Sequence, residues 1–429
     1  MPAHAAIDVY LNGSVYTEIS SQPEDVLRAG NRVKLYSEIV LPGNNQLKFR
    51  IWGVNQKGDY LNRFDRSFSL SLMNQIDWIE VQTKGNLFPS GPEMELSFGN
   101  IEVDYSPYSI AVKDQAFNDY IYEPKSYYGV TIRNIKWRYF QFSAFGLTGI
   151  TENPSKNMFG GLLEFKKNKT VIKGIYLDYA NRGARTIAEE ESEKVFELSL
   201  ERDYGWGTIN CVVVSQKNNH YEQPEGTILA VEDKHLLKDF AFKLPINDNV
   251  AVTFGYRDYP KDFNPVLRDR TAEFDDRTGI YLGFNPVDRY GDRKGIYSIV
   301  DAEIEGFKFR ADISNYENHL TNPTRYQEVG LSMCTQLKNW TIDIFGYTQN
   351  RSTFLNTNDS DLESFSFTRA VFSYPKTFST AKITPGIEFR AQDDKFDVTR
   401  LISYFVKYEV DNMLSIEGGL RQGLISNSN

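Results

Sequence analysis

A chain of 429 residues with a formal net charge of -9 lacks the surplus of Lys and Arg that binding to a phosphate backbone needs, so nucleic acid is excluded as a partner. Mean hydropathy is negative and no stretch approaches the roughly 20 apolar residues of a membrane-crossing helix, so a helical membrane protein is excluded as well. Aromatics reach 14%, with 26 Tyr and 29 Phe, which suits a protein that sets rings at two membrane interfaces.

The first residues, Met1 to Ala6, carry Ala3-His4-Ala5, the small-x-small form of a signal-peptidase site, with no apolar core before it. They are expected to be the remnant of an export signal, with one β domain over residues 7–429. Val33, Leu35, Ile39 and Leu41 alternate with Arg32, Lys34, Tyr36 and Glu38, a period of two that gives a strand one apolar face and one wettable face. After Pro42-Gly43-Asn44-Asn45 the pattern restarts, with Leu47, Phe49 and Ile51 against Lys48, Arg50 and Trp52, which reads as a hairpin.

Counting outward from two-residue turns tests the register further along the chain. Around Gly99-Asn100 the expected pairs are Phe98 with Ile101, Leu96 with Val103 and Met94 with Tyr105, with Ser97 opposite Glu102 and Glu95 opposite Asp104. Around Arg133-Asn134 they are Ile132 with Ile135 and Val130 with Trp137, against Thr131 with Lys136. The segments Asn181–Glu193, Lys217–Lys234 and Pro260–Thr278 lack alternation and are expected to be long loops; Thr186–Lys194 is the one helix-like run, and Gly279–Phe284 fits strand and loop equally. Around Glu305-Gly306, Ile304, Ala302 and Val300 meet Phe307, Phe309 and Ala311, while Glu303 meets Lys308 and Asp301 meets Arg310. Around Lys338-Asn339, Leu337, Thr335 and Met333 meet Trp340, Ile342 and Ile344, against Gln336 with Thr341 and Cys334 with Asp343. A further polar segment covers Asn350–Asp361. Four hairpins thus sort their faces alike, and a one-residue slip would invert each of them.

Counting alternating runs gives roughly 22 strands, within about 18–24. A soluble sandwich core holds only about 100 residues, and no linker rich in Pro, Gly or Ser divides this chain. Nor is there an internal repeat of propeller or solenoid period. The second face mixes charges with large rings, as at Tyr36, Trp52 and Phe345. The expected fold is therefore all-β: a single transmembrane antiparallel β-barrel with short periplasmic turns and longer extracellular loops.

Chemistry is sparse. His4, His220, His235 and His319 show no metal-ligand spacing, and Cys211 and Cys334 are too few and too far apart for a disulfide framework. No catalytic motif, metal or cofactor is indicated, although carboxylates brought together only in space escape such a search. Glu95 and Asp104 would face each other across one hairpin, a like-charge contact that needs compensation. Arg268, Arg270, Glu273, Asp275, Asp276 and Arg277 cluster in one predicted loop, either as a constriction folded into a pore or as a salt-bridged surface loop.

The chain resembles bacterial outer-membrane porins in architecture, and Leu96-Ser97-Phe98-Gly99-Asn100-Ile101-Glu102-Val103-Asp104-Tyr105-Ser106-Pro107-Tyr108 is similar to hairpins of porin-like barrels. The resemblance implies an outer-membrane, lipid-embedded channel for passive diffusion of small hydrophilic solutes or ions, often as a homotrimer. The chain ends Ser426-Asn427-Ser428-Asn429 and not in the aromatic residue common to such barrels, a departure from the pattern. In this reading Lys34, Glu38, Lys48, Arg50, Asp301, Glu303, Lys308 and Arg310 line the lumen and set its field. Two alternatives stand beside it: a plugged barrel with a structural, adhesive or envelope-scaffold role, and a secreted carbohydrate-binding or hydrolytic β protein.

Overall fold

The computed structural model describes residues 8–427 except 22–26, 42–44, 58–75, 87–90, 102, 113–126, 150–155, 182–190, 223–228, 262, 264–273, 276–279, 282–291, 322, 353–362, 394–396 and 411–413. In β1, β26 and most of β2 and β3 only the backbone is described. The strands are β1 (Asp8–Ser21), β2 (Leu27–Leu41), β3 (Asn45–Lys57), β4 (Ile76–Asn86), β5 (Glu93–Ile101), β6 (Val103–Ser106), β7 (Ile110–Val112), β8 (Tyr127–Trp137), β9 (Phe140–Gly149), β10 (Lys156–Lys167), β11 (Thr170–Asn181), β12 (Glu191–Asp203), β13 (Thr208–Glu222), β14 (Leu229–Asn247), β15 (Val250–Tyr259), β16 (Phe274–Asp275) and β17 (Ile280–Tyr281). There follow β18 (Arg293–Ile304), β19 (Phe307–Glu317), β20 (Arg325–Leu337), β21 (Trp340–Ser352), β22 (Glu363–Ser373), β23 (Lys376–Phe378), β24 (Ala381–Asp393), β25 (Asp397–Val410) and β26 (Leu414–Asn427).

Among the described residues one 22-stranded sheet forms the wall, while β6–β7 and β16–β17 are separate two-stranded pairs. Each wall strand pairs antiparallel with the next in chain order, and β26 returns to lie beside β1, closing the sheet into a barrel. Both β22 and β23 pair with β24 across a break at Tyr374-Pro375, so they are two pieces of one wall strand. The 22 strands less one for that break make an odd number of positions, and β1 and β26 therefore run in the same direction where they meet.

Antiparallel order puts alternate connections at opposite ends. Tight turns at residues 138–139, 168–169, 248–249, 305–306, 338–339 and 379–380 all fall at one end, and the connections through 58–75, 102–126 and 260–292 fall at the other. Type I′ turns require positive φ at both central residues, and Glu305 (50°) and Gly306 (83°) supply it. The registers expected around Glu305-Gly306 and Lys338-Asn339 are the observed ones, and the hairpin expected after Leu41 joins β2 to β3.

The other two predicted hairpins are corrected. At Gly99-Asn100 the chain does not reverse: Phe98 pairs with Val81 on one side and Val130 on the other, so β5 continues to Ile101. Gly99 has φ of 107°, and a Cβ there would lie 2.3 Å from the Ile79 carbonyl oxygen. The Asn100 Oδ1 accepts a 2.7 Å bond from the Ile79 N–H, so these two residues bend the strand instead of ending it. Glu95 and Asp104 consequently do not face each other; Glu95 stands between Lys84 and Arg133. At Arg133-Asn134 the register shifts between Ile132 and Ile135, a β-bulge with Asn134 at φ 63°, and the turn comes later at Arg138-Tyr139.

Two loop expectations also change. Most of Lys217–Lys234 is strand, continuing the β13–β14 pairing through Lys217 with Lys234 to Glu222 with Leu229; charged and amide residues crowd this end of the hairpin, so no alternation marked it in the sequence. Thr186–Lys194 is not helical where described, since β12 begins at Glu191. Of Gly279–Phe284, Ile280–Tyr281 is a two-residue strand paired with Phe274–Asp275, outside the wall.

Candidate functional site

The two faces of the wall differ in chemistry. Phe196, Leu198, Leu236, Phe240, Ile296 and Leu331 are 41–61% exposed, and their alternation places them on one side of β12, β14, β18 and β20. The opposite side carries Glu193, Val195, Glu197, Leu237, Asp239, Arg293 and Glu328, all buried. The hairpin β6–β7 decides which side is inner. It leaves the wall after β5 yet touches β12 and β14, several wall strands away, and only a chord through the interior joins them.

This hairpin packs on an apolar pad. Ile101, Val103 and Ile110 are at most 1% exposed and cluster with Phe145, Leu147, Ile175, Leu177, Val195, Val212, Val214 and Leu237 from β9 to β14; Tyr105 stacks at a tilt on Phe145, with centroids 5.8 Å apart. Burying an aliphatic side chain of this size contributes about 1.5–3 kcal/mol, so Val103 and Ile110 help hold the hairpin against the wall, where Ile101 at the end of β5 joins the same pad.

Polar contacts fix its register. Asp239 of β14 accepts three bonds on one carboxylate: from Tyr108 OH at 2.9 Å, from Arg257 Nε at 2.7 Å and from Tyr297 OH at 2.9 Å. The Arg257 guanidinium lies 4.7 Å over the Tyr297 ring. Tyr297 crosses β15 at Gly255, where any Cβ would lie 2.1 Å from its ring, so glycine is what lets the phenol reach Asp239. Next along the turn, Ser109 Oγ donates to Glu197, and both are buried. Burial and the adjacent Asp239 carboxylate push the Tyr108 hydroxyl well above its ordinary 10.0, and burial pushes Tyr105 up to about 12. Both phenols are therefore protonated at neutral pH, and Tyr108 donates to Asp239.

Across the interior the inner face is polar and charge-paired. Arg293 Nη1 bonds Glu328 at 2.7 Å, and Ser314 Oγ donates to the other Glu328 oxygen at 3.1 Å. Arg369 and Arg390, opposite each other on β22 and β24, share Glu388 at 2.5 and 2.6 Å. The lumen thus carries the hairpin and its apolar pad on the β9–β15 side, and ion pairs beside rings such as Phe345 on the β18–β25 side.

The residues expected to line a lumen fall as follows. Asp301, Glu303, Lys308 and Arg310 share the inner face of β18 and β19; Arg310 lies 3.9 Å from Asp301 and 3.0 Å from Asp312. Glu38 and Lys48 occupy one register row with Glu80, which is buried on the inner face. The side chains of Lys34, Lys48 and Arg50 lie outside the described residues, as do those of Tyr36 and Trp52. Phe345 is 3% exposed and faces inward. Of the expected constriction cluster, Arg268, Arg270, Glu273, Asp276 and Arg277 lie outside the described residues, and only the backbone of Asp275 is described. The segment that does enter the interior, 103–112, escaped the sequence reading because it was paired with β5. No group of three or more metal-ligating side chains occurs among the described residues.

No protein-family model and no curated sequence matches the chain. Among solved structures it is similar to the Pseudomonas aeruginosa protein OccK5 (OpdH), at 12% identity over 82% of this chain and 92% of that one, with a TM-score of 0.46. It is also similar to OccAB2 of Acinetobacter baumannii, at 12% identity over 86% and 97%, TM-score 0.48. The P pilus usher (PapC) translocation pore aligns at 9% identity over 98% of both chains, TM-score 0.42.

Proposed function

We propose that the chain is an outer-membrane porin whose lumen is narrowed by the β6–β7 hairpin and passes small hydrophilic solutes or ions by diffusion. The observation that carries this reading is the inversion of faces: rings and aliphatic side chains outside, carboxylates and guanidiniums inside. An exposed apolar surface that runs around the described wall from β4 to β25 far exceeds the few hundred Å² a soluble monomer tolerates, and lipid is the solvent that covers it. The wall strands, 9–19 residues long apart from the fragment β23, reach the roughly 9–11 that a tilted membrane strand needs. The paired charges on the β18–β25 side keep water in the remaining lumen and raise an electrostatic barrier without a dominant sign. Asp301, Glu303, Lys308 and Arg310 belong to this lining, with Glu38, Lys48, Arg50 and Lys34 continuing it.

The hairpin is a fixed constriction in this reading, because its apolar contacts and two carboxylate anchors would all have to break for it to swing away. Liposome swelling tests the reading: purified protein in vesicles is expected to admit small sugars and amino acids and to exclude larger oligosaccharides. A second reading, a plugged barrel with an envelope-scaffold role, is favoured by the apolar filling of the β9–β15 side. Insertion with no solute uptake at any size would select it.

A further inference from the structure

At the short-turn rim the outward cations and the aromatic belt occupy the same places. The Arg138 guanidinium lies 5.5 Å over Trp137, the Lys167 ammonium 5.0 Å over Tyr139, Arg202 5.0 Å over Tyr204 and Lys376 4.8 Å over Phe378. The rings project from the wall, with Trp137 65% and Tyr139 50% exposed. Among the described residues, none of these four cations forms an ion pair with a carboxylate.

The long-loop rim is built the other way. There three outward cations are neutralised: Lys194 by Asp178 at 3.4 Å, Lys238 by Asp258 at 3.9 Å, Lys294 by Glu317 at 3.4 Å. Acid is not absent from the short-turn rim, but Asp203 is taken up by Lys169 at 3.1 Å and by the Gly205 N–H, and Asp248 and Glu305 sit on the turns themselves.

A ring face attracts a cation without neutralising it, and a long basic side chain laid along a ring presents its charge at headgroup level. We propose that the short-turn rim is a docking surface for the phosphates of anionic phospholipids, and that it thereby fixes which leaflet the short turns face. The inference rests on the membrane reading above. Zwitterionic headgroups carry their own ammonium and satisfy the four cations less well than phosphatidylglycerol does.

The test is native mass spectrometry of the detergent-purified protein after equilibration with equal amounts of phosphatidylglycerol and phosphatidylcholine. The wild type is expected to retain the anionic lipid by about tenfold over the zwitterionic one, a preference that about 0.5 M salt removes. The combined variant Arg138→Gln, Lys167→Gln, Arg202→Gln, Lys376→Gln is expected to bind both equally, while Lys194→Gln with Lys238→Gln leaves the preference intact. A wild type without preference, a preference indifferent to salt, or a quadruple variant that keeps it overturns the proposal. If the quadruple variant does not fold, the salt series on the wild type alone decides. Wild-type protein that inserts and conducts but does not discriminate sinks this surface only, whereas protein that needs no detergent sinks the membrane reading and this surface with it.

Discussion

At the scale of single residues the interior is organised by carboxylates that serve several donors at once. Asp239 is the densest case, and Asp239→Ala is expected to destabilise the folded protein by about 3 kcal/mol, because it removes a buried carboxylate that the partly buried Arg257 guanidinium and two phenols share. Tyr108→Phe removes one donor and leaves the others, so a loss of about 1 kcal/mol is expected. Urea titration of vesicle-embedded protein followed by Trp fluorescence measures both, and equal effects from the two would contradict the shared-carboxylate account. Gly255→Ala tests the same point through the backbone. Its Cβ would collide with the Tyr297 ring, so the phenol must leave Asp239 at a cost of about 1–3 kcal/mol.

At the scale of elements the β6–β7 hairpin ties sequence to function, and its tyrosines give it a pH dependence with a definite sign. Tyr108 and Tyr105 titrate above the ordinary value of 10.0 when docked, so a released hairpin gives up protons that the docked one keeps. Docking strength is therefore full below about pH 10 and falls as pH rises beyond it. Conductance recorded from pH 7 to 11 is expected to stay level to about pH 10 and then to become larger or noisier. A drop in conductance over the same range would mean the phenols do not hold the hairpin.

The same element shows what the sequence concealed. The registers at Glu305-Gly306 and Lys338-Asn339 were readable because alternation and turn chemistry agree there. At Gly99-Asn100 and Arg133-Asn134 a turn-like dipeptide lies inside a continuing strand, and a positive φ serves a bend or a bulge as well as it serves a turn. Apolar pairs counted outward from Gly99-Asn100 looked correct because Val103 and Tyr105 are apolar for another reason: they bury against the inner pad. The partners of Asp239 on β14 come from β15, β18 and the hairpin, a convergence in space with no fixed sequence interval. The shared face of Asp301, Glu303, Lys308 and Arg310 was legible because β18 and β19 belong to a single tight hairpin.

At the scale of the whole molecule two features follow from counting strands. An odd number of wall positions makes β1 and β26 meet in parallel, and parallel pairing is slightly weaker per residue than the antiparallel ladders elsewhere. Hydrogen exchange in lipid vesicles is expected to be fastest, among the wall strands, in β1 and β26, and slowest in β10 to β14 beneath the hairpin. Uniform protection around the wall would contradict a distinct seam. The alternation of short and long connections gives the barrel a direction, with the hairpin descending from the long-loop end into the half of the lumen that carries its apolar pad.

The most direct test of a pore narrowed by this hairpin is single-channel recording in planar bilayers. The wild type is compared with a variant in which residues 103–112 are replaced by a short Gly-Ser linker. The account predicts discrete steps for the wild type and larger steps for the variant at the same salt. Insertion of both proteins with no steps from either, or with steps of identical size, would contradict it.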